Sequence, residues 1–459
     1  MTSSTSLSEL TRQLLAKAEK VESLTPKETG QVLFQLEGQS PELKKARREL
    51  LEITQEIQVR ARGPADLLEQ YQIQYNAFSC LRWLLHFKIF THVPTDSKPI
   101  AYTALASLAS VPLGRLQSVA RMAMTAGLFT EPDSAHIAHS PLSLRFATDA
   151  LLRDWAIFIT KYGAPATQAM TEATEKWGDS KALDQTAWNV FGDTNKTFFE
   201  YLKDVPGMVD LFSRYMQSQG LSEGMRLEHV IEGFDWAKLD ANAHIIDVSH
   251  YPSIIYATIR KQHSQNTNSV GKVGGSNGFV SVALAKAYPG FKFTVQDLPE
   301  AVEALSSTLS DLPEAITSRV QFKAHSFFDP QPPHQPGWPA PDVYFLRKIL
   351  HDWPTDRARE ILSQLATALQ KGEKKKTKKA GARIVIMDII LPPPGTIART
   401  QEAMLRVRDL SMAQAFNSQE RNLTDWEELF ESAEPKLQLI SWKQPPGSAM
   451  AVMEVGLAE

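Results

Sequence analysis

The sequence predicts an α/β fold: a mostly parallel sheet in the C-terminal half, preceded by an N-terminal half made largely of helices. Three observations carry this. A Gly-rich turn, an apolar helix, a strand and a strand-end acid follow one another between Val273 and Asp297. Further strand-like runs, Arg319–Ala324, Val343–Leu346 and Arg383–Met387, are separated by stretches of helical periodicity, the alternation that builds parallel sheets. The first 235 residues, by contrast, hold only one short hairpin signal, Leu128–Glu131 with Ala135–Ala138.

Length and composition bound the answer further. A chain of 459 residues has room for two or three domains. With 49 Lys+Arg against 52 Asp+Glu the net charge is −3, without the basic excess of a nucleic-acid binder. The one cysteine, Cys80, excludes an intramolecular disulfide and fits a reducing compartment. The first twenty residues carry neither a basic nor an apolar leader, and no run of eighteen apolar residues exists. These features lead us to expect a cytoplasmic protein that does not enter a membrane.

In chain order, residues 1–62 read as an amphipathic helical arm that packs on another subunit, with Leu7, Leu10, Leu14 and Leu15 on one face; the alternative is a partly disordered tail. Residues 63–145 give three helical patterns and the hairpin, the plan of a winged helix. Its third helix carries Leu113, Leu116, Val119, Met122 and Met124 but only Arg115 and Arg121, which favours a structural or dimerising role over DNA binding. Residues 146–235 read as helical and aromatic, with Trp155, Phe158, Trp188, Phe198 and Phe212 among the side chains that fill a core or line an apolar pocket. Residues 236–459 form the α/β domain.

Within that domain the run Val273-Gly274-Gly275-Ser276-Asn277-Gly278 opens the helix, and Asp297 follows Gly278 by nineteen residues, where a strand-end carboxylate can bond ribose hydroxyls. Together with Tyr288-Pro289 and Val295-Gln296-Asp297-Leu298-Pro299, this run closely resembles the S-adenosylmethionine motif of fungal small-molecule O-methyltransferases, a class I family related in plan to the plant caffeate and flavonoid enzymes. The resemblance extends to Gly233-Phe234-Asp235-Trp236, His325-Ser326-Phe327-Phe328, Leu350-His351-Asp352-Trp353 and Asn417–Arg421. It implies a Rossmann-like methyltransferase domain, a winged-helix dimerisation domain, an intertwined homodimer, and S-adenosylmethionine as cofactor. It also implies cofactor contacts from Asp247, Gly274, Gly275, Gly278, Asp297, Ser326, Phe327 and Arg347, with a catalytic set of His351, Asp388 and Glu420. Ser326 stands where the family has an aspartate that meets the adenine amine.

One departure is conspicuous. The strand His244–Val248 begins as in the family, but the glycines arrive only after Val273. Removing residues 248–272 leaves Ile-Ile-Asp-Val-Gly-Gly-Ser-Asn-Gly and restores the motif. The segment reads either as a translated intron or as an insertion at the strand end.

His351 lies between a strand's carboxyl end and a helix start, where open α/β sheets place ligands. A phenol titrates near pH 10 and a histidine near 6.5, so proton removal must be coupled to attack on an electron-poor methyl. Carboxylates beside the imidazole fix its tautomer and stabilise its charged form. No His/Cys cluster offers a metal site, and none is expected. The expected acceptor is an aromatic or polyketide-like small molecule. A pericyclic enzyme on the same scaffold is the alternative, with Lys348 as a carbonyl hydrogen-bond donor.

Overall fold

The computed structural model describes residues 5–25, 40–248, 279–299, 301–302, 312–333, 337–373 and 381–459. Gly274, Gly275 and Gly278, with all of the suspect segment after Val248, lie outside the described residues. The chain divides into two compact units: Met1–Pro165 with Pro393–Arg406, and Ala166–Pro392 with Val407–Glu459.

In the first unit, helix α1 (Leu7–Leu24) starts at Ser6, whose hydroxyl accepts from the Glu9 amide at 3.1 Å. Helix α2 (Pro41–Ala61) starts in the same way at Ser40, with proline at its first position. The two pack through Val21, Leu43 and Ala46. Leu10 is buried, but Leu15 is 62% exposed and Leu7 is 46% exposed. Leu15 lies roughly 140° around the helix from Leu10, at about 100° per residue, so a single apolar face for all four leucines was too generous.

Helices α3 (Pro64–His86), α4 (Tyr102–Ala109) and α5 (Leu113–Met124) follow, with strands β1 (Ile100–Ala101), β2 (Thr130–Asp133) and β3 (His136–Ala138) in the order β1-β3-β2. Leu84, Leu105, Leu116, Phe129 and Ile137 form their common core. Arg121 is spent on Glu131 of the hairpin through two hydrogen bonds, 2.9 and 3.0 Å, and Tyr102 donates to the same carboxylate at 2.9 Å. A phosphate would have to compete with that fork.

The second unit holds a seven-stranded sheet in the order β11-β12-β8-β7-β4-β5-β6. Its strands are β4 (His244–Val248), β5 (Lys292–Asp297), β6 (Val320–Ala324), β7 (Val343–Arg347), β8 (Arg383–Asp388), β11 (Leu437–Lys443) and β12 (Ala451–Leu457). β4 to β8 pair in parallel, while β12 runs antiparallel to both β8 and β11. β4 and β7 are buried along their whole length, as strands covered on both faces must be. Gly290, in the turn before β5, has no room for a Cβ, which would lie 2.0 Å from the Ala241 carbonyl oxygen.

Helix α6 (Phe279–Ala287) precedes β5, and α7 (Thr355–Glu373) buries Ala358, Ile361, Leu362, Leu365 and Leu369 in the core beneath β7 and β8. After β8 the short strand β9 (Ile390–Leu391) pairs in parallel with β10 (Arg421–Asn422), with helix α8 (Arg399–Phe416) between them in sequence. Helix α9 (Leu423–Glu431) then starts at Asn422, which exchanges hydrogen bonds with Asp425. From β4 the chain order runs outward to β5 on one side and to β7 on the other. That reversal opens a crevice at the carboxyl ends of the central strands, the place where such sheets bind ligands. Among the described residues no helix is long and apolar enough to cross a membrane.

Candidate active site

Four strand ends deliver side chains to one edge of the sheet: Asp247 from β4, Asp297 from β5, Arg347 from β7 and Asp388 from β8. The chain leaves β7 through Lys348, which takes a left-handed backbone conformation (φ +55°) while its amide donates to the Met387 carbonyl at 3.1 Å. Such a φ is unfavourable for a side chain of this size and marks a local constraint. The single 3-10 turn Leu350–Asp352 comes next and carries His351.

His351 is buried, and its Nδ1 lies 2.9 Å from Glu420 Oε1 and 3.5 Å from Asp388 Oδ1. Its Nε2 lies 3.5 Å from Asp352 Oδ1. Nδ1 therefore donates to Glu420, and Nε2 is the nitrogen left to exchange a proton. Glu420 is itself held by its backbone amide, which donates to Asp409 Oδ1 at 2.9 Å. Asp388 Oδ1 accepts from the Ile389 amide at 3.0 Å. Among the described residues, Asp388 Oδ2 and Glu420 Oε2 are buried without a hydrogen-bond partner. Such acceptors in a buried site are costly, and their negative potential falls on the imidazole.

Burial opposes the charged imidazole, but Asp388, Glu420 and Asp352 outweigh it, and His351 is pushed up to about 10. Asp388 is pushed up to about 6, first by burial and then by Glu420, against the pull of His351. Lys348 is brought down to about 8 by burial and by Arg347, with Asp352 opposing.

The donor atoms of His351, Asp388 and Glu420 lie within 4.8 Å of one another, close enough to close on a cation. The set comes from three distant segments, so no local spacing in the sequence marks it. With Nδ1 already 2.9 Å from Glu420, the arrangement is a hydrogen-bonded base and its two acids.

The remaining predicted residues are more scattered in environment. Asp297 is fully buried, with Oδ1 accepting from the Leu298 amide at 2.8 Å. Asp247 Oδ2 accepts from the Ser281 hydroxyl at 2.7 Å, tying β4 to α6. Ser326 Oγ accepts from the Phe328 amide at 3.3 Å and keeps its own proton to donate. Phe327 is a core side chain, edge-on to Trp353 at 5.8 Å. Arg347 is buried and donates through Nη2 to the Met225 carbonyl at 2.6 Å. One residue of the resembling run Asn417–Arg421 was given no role by the sequence. Arg421, 1% exposed, donates to the carbonyls of Leu350 and Trp353, on either side of His351, at 2.8 and 2.9 Å.

Residues 248–434 match the O-methyltransferase domain family. The chain is 38% identical over 436 residues to O-methyltransferase pgmB of Aspergillus terreus, covering 95% of this chain and 90% of that one. It is 39% identical over 412 residues to O-methyltransferase VdtC of Byssochlamys spectabilis, covering 89% and 86% of the two chains. Among solved structures, OxaC in complex with sinefungin and meleagrin superposes over the full length of both chains, with a TM-score of 0.67 and 18% identity. A structure described as a pericyclic reaction enzyme superposes with a TM-score of 0.66 and 21% identity, over 98% of this chain and all of that one. At such identities the likeness concerns the fold.

The charge balance at His351 gives a pH signature. A histidine raised in the folded state contributes stability that is fully present below its unfolded value of about 6.5 and is lost as pH rises through about 10. We therefore expect His351→Gln to be less stable than the wild type, with a deficit that is largest near pH 6.5 and shrinks toward pH 10. Urea unfolding of both proteins across that range measures it. Lys348 also titrates there but is common to both chains, and a deficit independent of pH contradicts the assignment.

Proposed function

The chain belongs to the fungal O-methyltransferase family, and we propose that it uses His351 as the general base on a hydroxyl of an aromatic or polyketide-like small molecule. The enzyme transfers a methyl group from S-adenosylmethionine to oxygen. The observation that carries the base assignment is the 2.9 Å contact between His351 Nδ1 and Glu420 Oε1 inside a buried, doubly acidic site.

S-adenosylmethionine supplies, when bound, an electrophilic methyl on a cationic sulfur. Asp297, at the end of β5, is assigned to its ribose hydroxyls. Ser326, with a hydroxyl proton to give, takes the adenine side, joined by Asp247, Phe327 and Arg347 around the edge; Gly274, Gly275 and Gly278 complete the expected set. The chain's own work is to place the acceptor, exclude water and take the proton. Nδ1–H donated to Glu420 leaves the Nε2 lone pair for the acceptor's O–H, and Asp388 stabilises the imidazolium that forms. Before that step Nε2 releases to solvent the proton it holds at rest, since the three acids favour the charged ring.

Trp188, Phe198, Phe212 and Phe416 form a buried aromatic cluster. Their rings meet edge to face at 4.8 to 5.4 Å, and Phe416 ends α8 four residues before Glu420. The fold likeness reaches a pericyclic enzyme as well, so fold alone does not choose the reaction. The buried base with two acids, which a pericyclic reaction does not require, favours proton removal.

A homodimer is the second part of the proposal. On α3, Leu68, Tyr71 and Tyr75 are each more than half exposed at positions that share a face. Light scattering on the full chain at micromolar concentration is expected to give twice the chain mass; a monomer contradicts it. For the chemistry, the test is methyl transfer from labelled cofactor to a panel of hydroxylated naphthalenes and anthraquinones. His351→Ala should lower kcat by about 10²- to 10⁴-fold, while calorimetry with S-adenosylhomocysteine shows affinity little changed. Turnover at the wild-type rate removes His351 as the base.

A further inference from the structure

We infer that Arg421 is the positioning residue that sets the base: its guanidinium clamps the backbone on both sides of His351 and locks it to the segments carrying Glu420 and Asp388. The inference rests on the proposal that His351 is the base, and it adds the part that makes a single short turn reliable.

The turn Leu350–Asp352 is anchored in the core by Ile349 and Leu350, but its own hydrogen bonds are long. It is one 3-10 turn, closed by the Asp352 amide to the Ile349 carbonyl at 3.2 Å and the Trp353 amide to the Leu350 carbonyl at 3.3 Å. It follows a residue in a strained left-handed conformation, Lys348. Bonds of that length in so short an element do not fix a side chain to within a few tenths of an ångström.

Arg421 supplies what is lacking. Nη1 donates to the Leu350 carbonyl at 2.8 Å and Nη2 to the Trp353 carbonyl at 2.9 Å, so one planar fork spans the residues around His351 and Asp352. The guanidinium lies over the Trp426 ring, 5.3 Å from its centroid. The Trp426 indole in turn donates to the Ile389 carbonyl at 3.0 Å, immediately after Asp388. Arg421 is joined to Glu420 by a peptide bond, and it pairs in the β10–β9 ladder with Ile390. One buried side chain therefore ties together the three segments that carry the base and its two acids. Its charge also lies among those acids, where it offsets Asp388 and Glu420.

Position and charge can be separated by experiment. Arg421→Lys keeps the charge and gives up the fork; Arg421→Met gives up both. With a hydroxylated naphthalene that the wild type methylates, Arg421→Lys is expected to lose about 10- to 100-fold in kcat, the order of loss a misplaced catalytic group brings. Its KM for S-adenosylmethionine, its affinity for S-adenosylhomocysteine and the acidic limb of its pH–rate profile should stay within twofold of wild type. Arg421→Met should lose more and move that limb to higher pH, because Asp388 and Glu420 would lose the guanidinium charge that offsets them and would favour the charged ring of His351 more strongly. A wild-type kcat and limb in Arg421→Met would overturn the inference. So would a loss of S-adenosylhomocysteine affinity in Arg421→Lys that matches its loss of kcat, the mark of general structural damage.

If both variants fail to fold, the wild-type protein decides. Nitrogen NMR of arginine-labelled enzyme should show separate, slowly exchanging Nη signals for Arg421, and rapidly averaged signals would overturn the clamp. His351→Ala is run alongside. If it keeps wild-type turnover, the base reading fails by itself, whereas a held guanidinium signal still reports the clamp.

Discussion

The contact on which this site depends is the hydrogen bond between His351 Nδ1 and Glu420 Oε1, 2.9 Å long and almost closed to solvent. It joins residues 69 positions apart in the chain, and each end must be held independently for it to form. At one end, β7 delivers the His351 turn to the carboxyl edge of the sheet. At the other, the two-residue ladder of β10 on β9 carries Glu420 to the end of β8, beside Asp388. The bond fixes which imidazole nitrogen can accept a proton, so the geometry of the chemistry follows from it.

The strength of the site comes from what surrounds that bond. Two buried carboxylates, each with one oxygen that has no hydrogen-bond partner among the described residues, are unfavourable, and the imidazole beside both offsets that cost. The structure meets that demand twice, once with the imidazolium and once with the guanidinium of Arg421. A resting charge on His351 is the natural result. The fold thus stores affinity for a proton on the group that the reaction needs to receive one.

Much of this was legible in the sequence, for physical reasons that differ by residue. The central strands announce themselves as continuous apolar runs, and Val343–Leu346 and Arg383–Met387 each match an observed strand to within a residue. Their ends then name Arg347 and Asp388. His351 and Glu420 were marked by motif, and the structure brings them together. Arg421 was quoted within a motif but given no role, because its contacts to Leu350, Trp353 and Trp426 come from segments far from it or from the fold of its own short ladder. The strain at Lys348 was equally silent, since nothing in a strand pattern foretells a positive φ after its last residue. The His/Asp/Glu gathering was missed as a possible cation set because its members come from three distant segments. In the arm, helical periodicity gave α1, of whose four leucines Leu10 is buried within the chain while Leu7 and Leu15 are exposed.

The claim at the centre is that His351 removes the acceptor's proton, and a series of acceptors of graded acidity tests it most directly. The measurement is kcat/KM for wild type and His351→Ala with substituted naphthols whose hydroxyls span from largely ionised to largely neutral at the assay pH. A base is needed only where there is a proton to remove. The defect of His351→Ala should therefore be large for the weakly acidic naphthols and nearly vanish for those already ionised. A defect of the same size across the whole series would contradict the account, because it would show that His351 serves placement and not proton transfer.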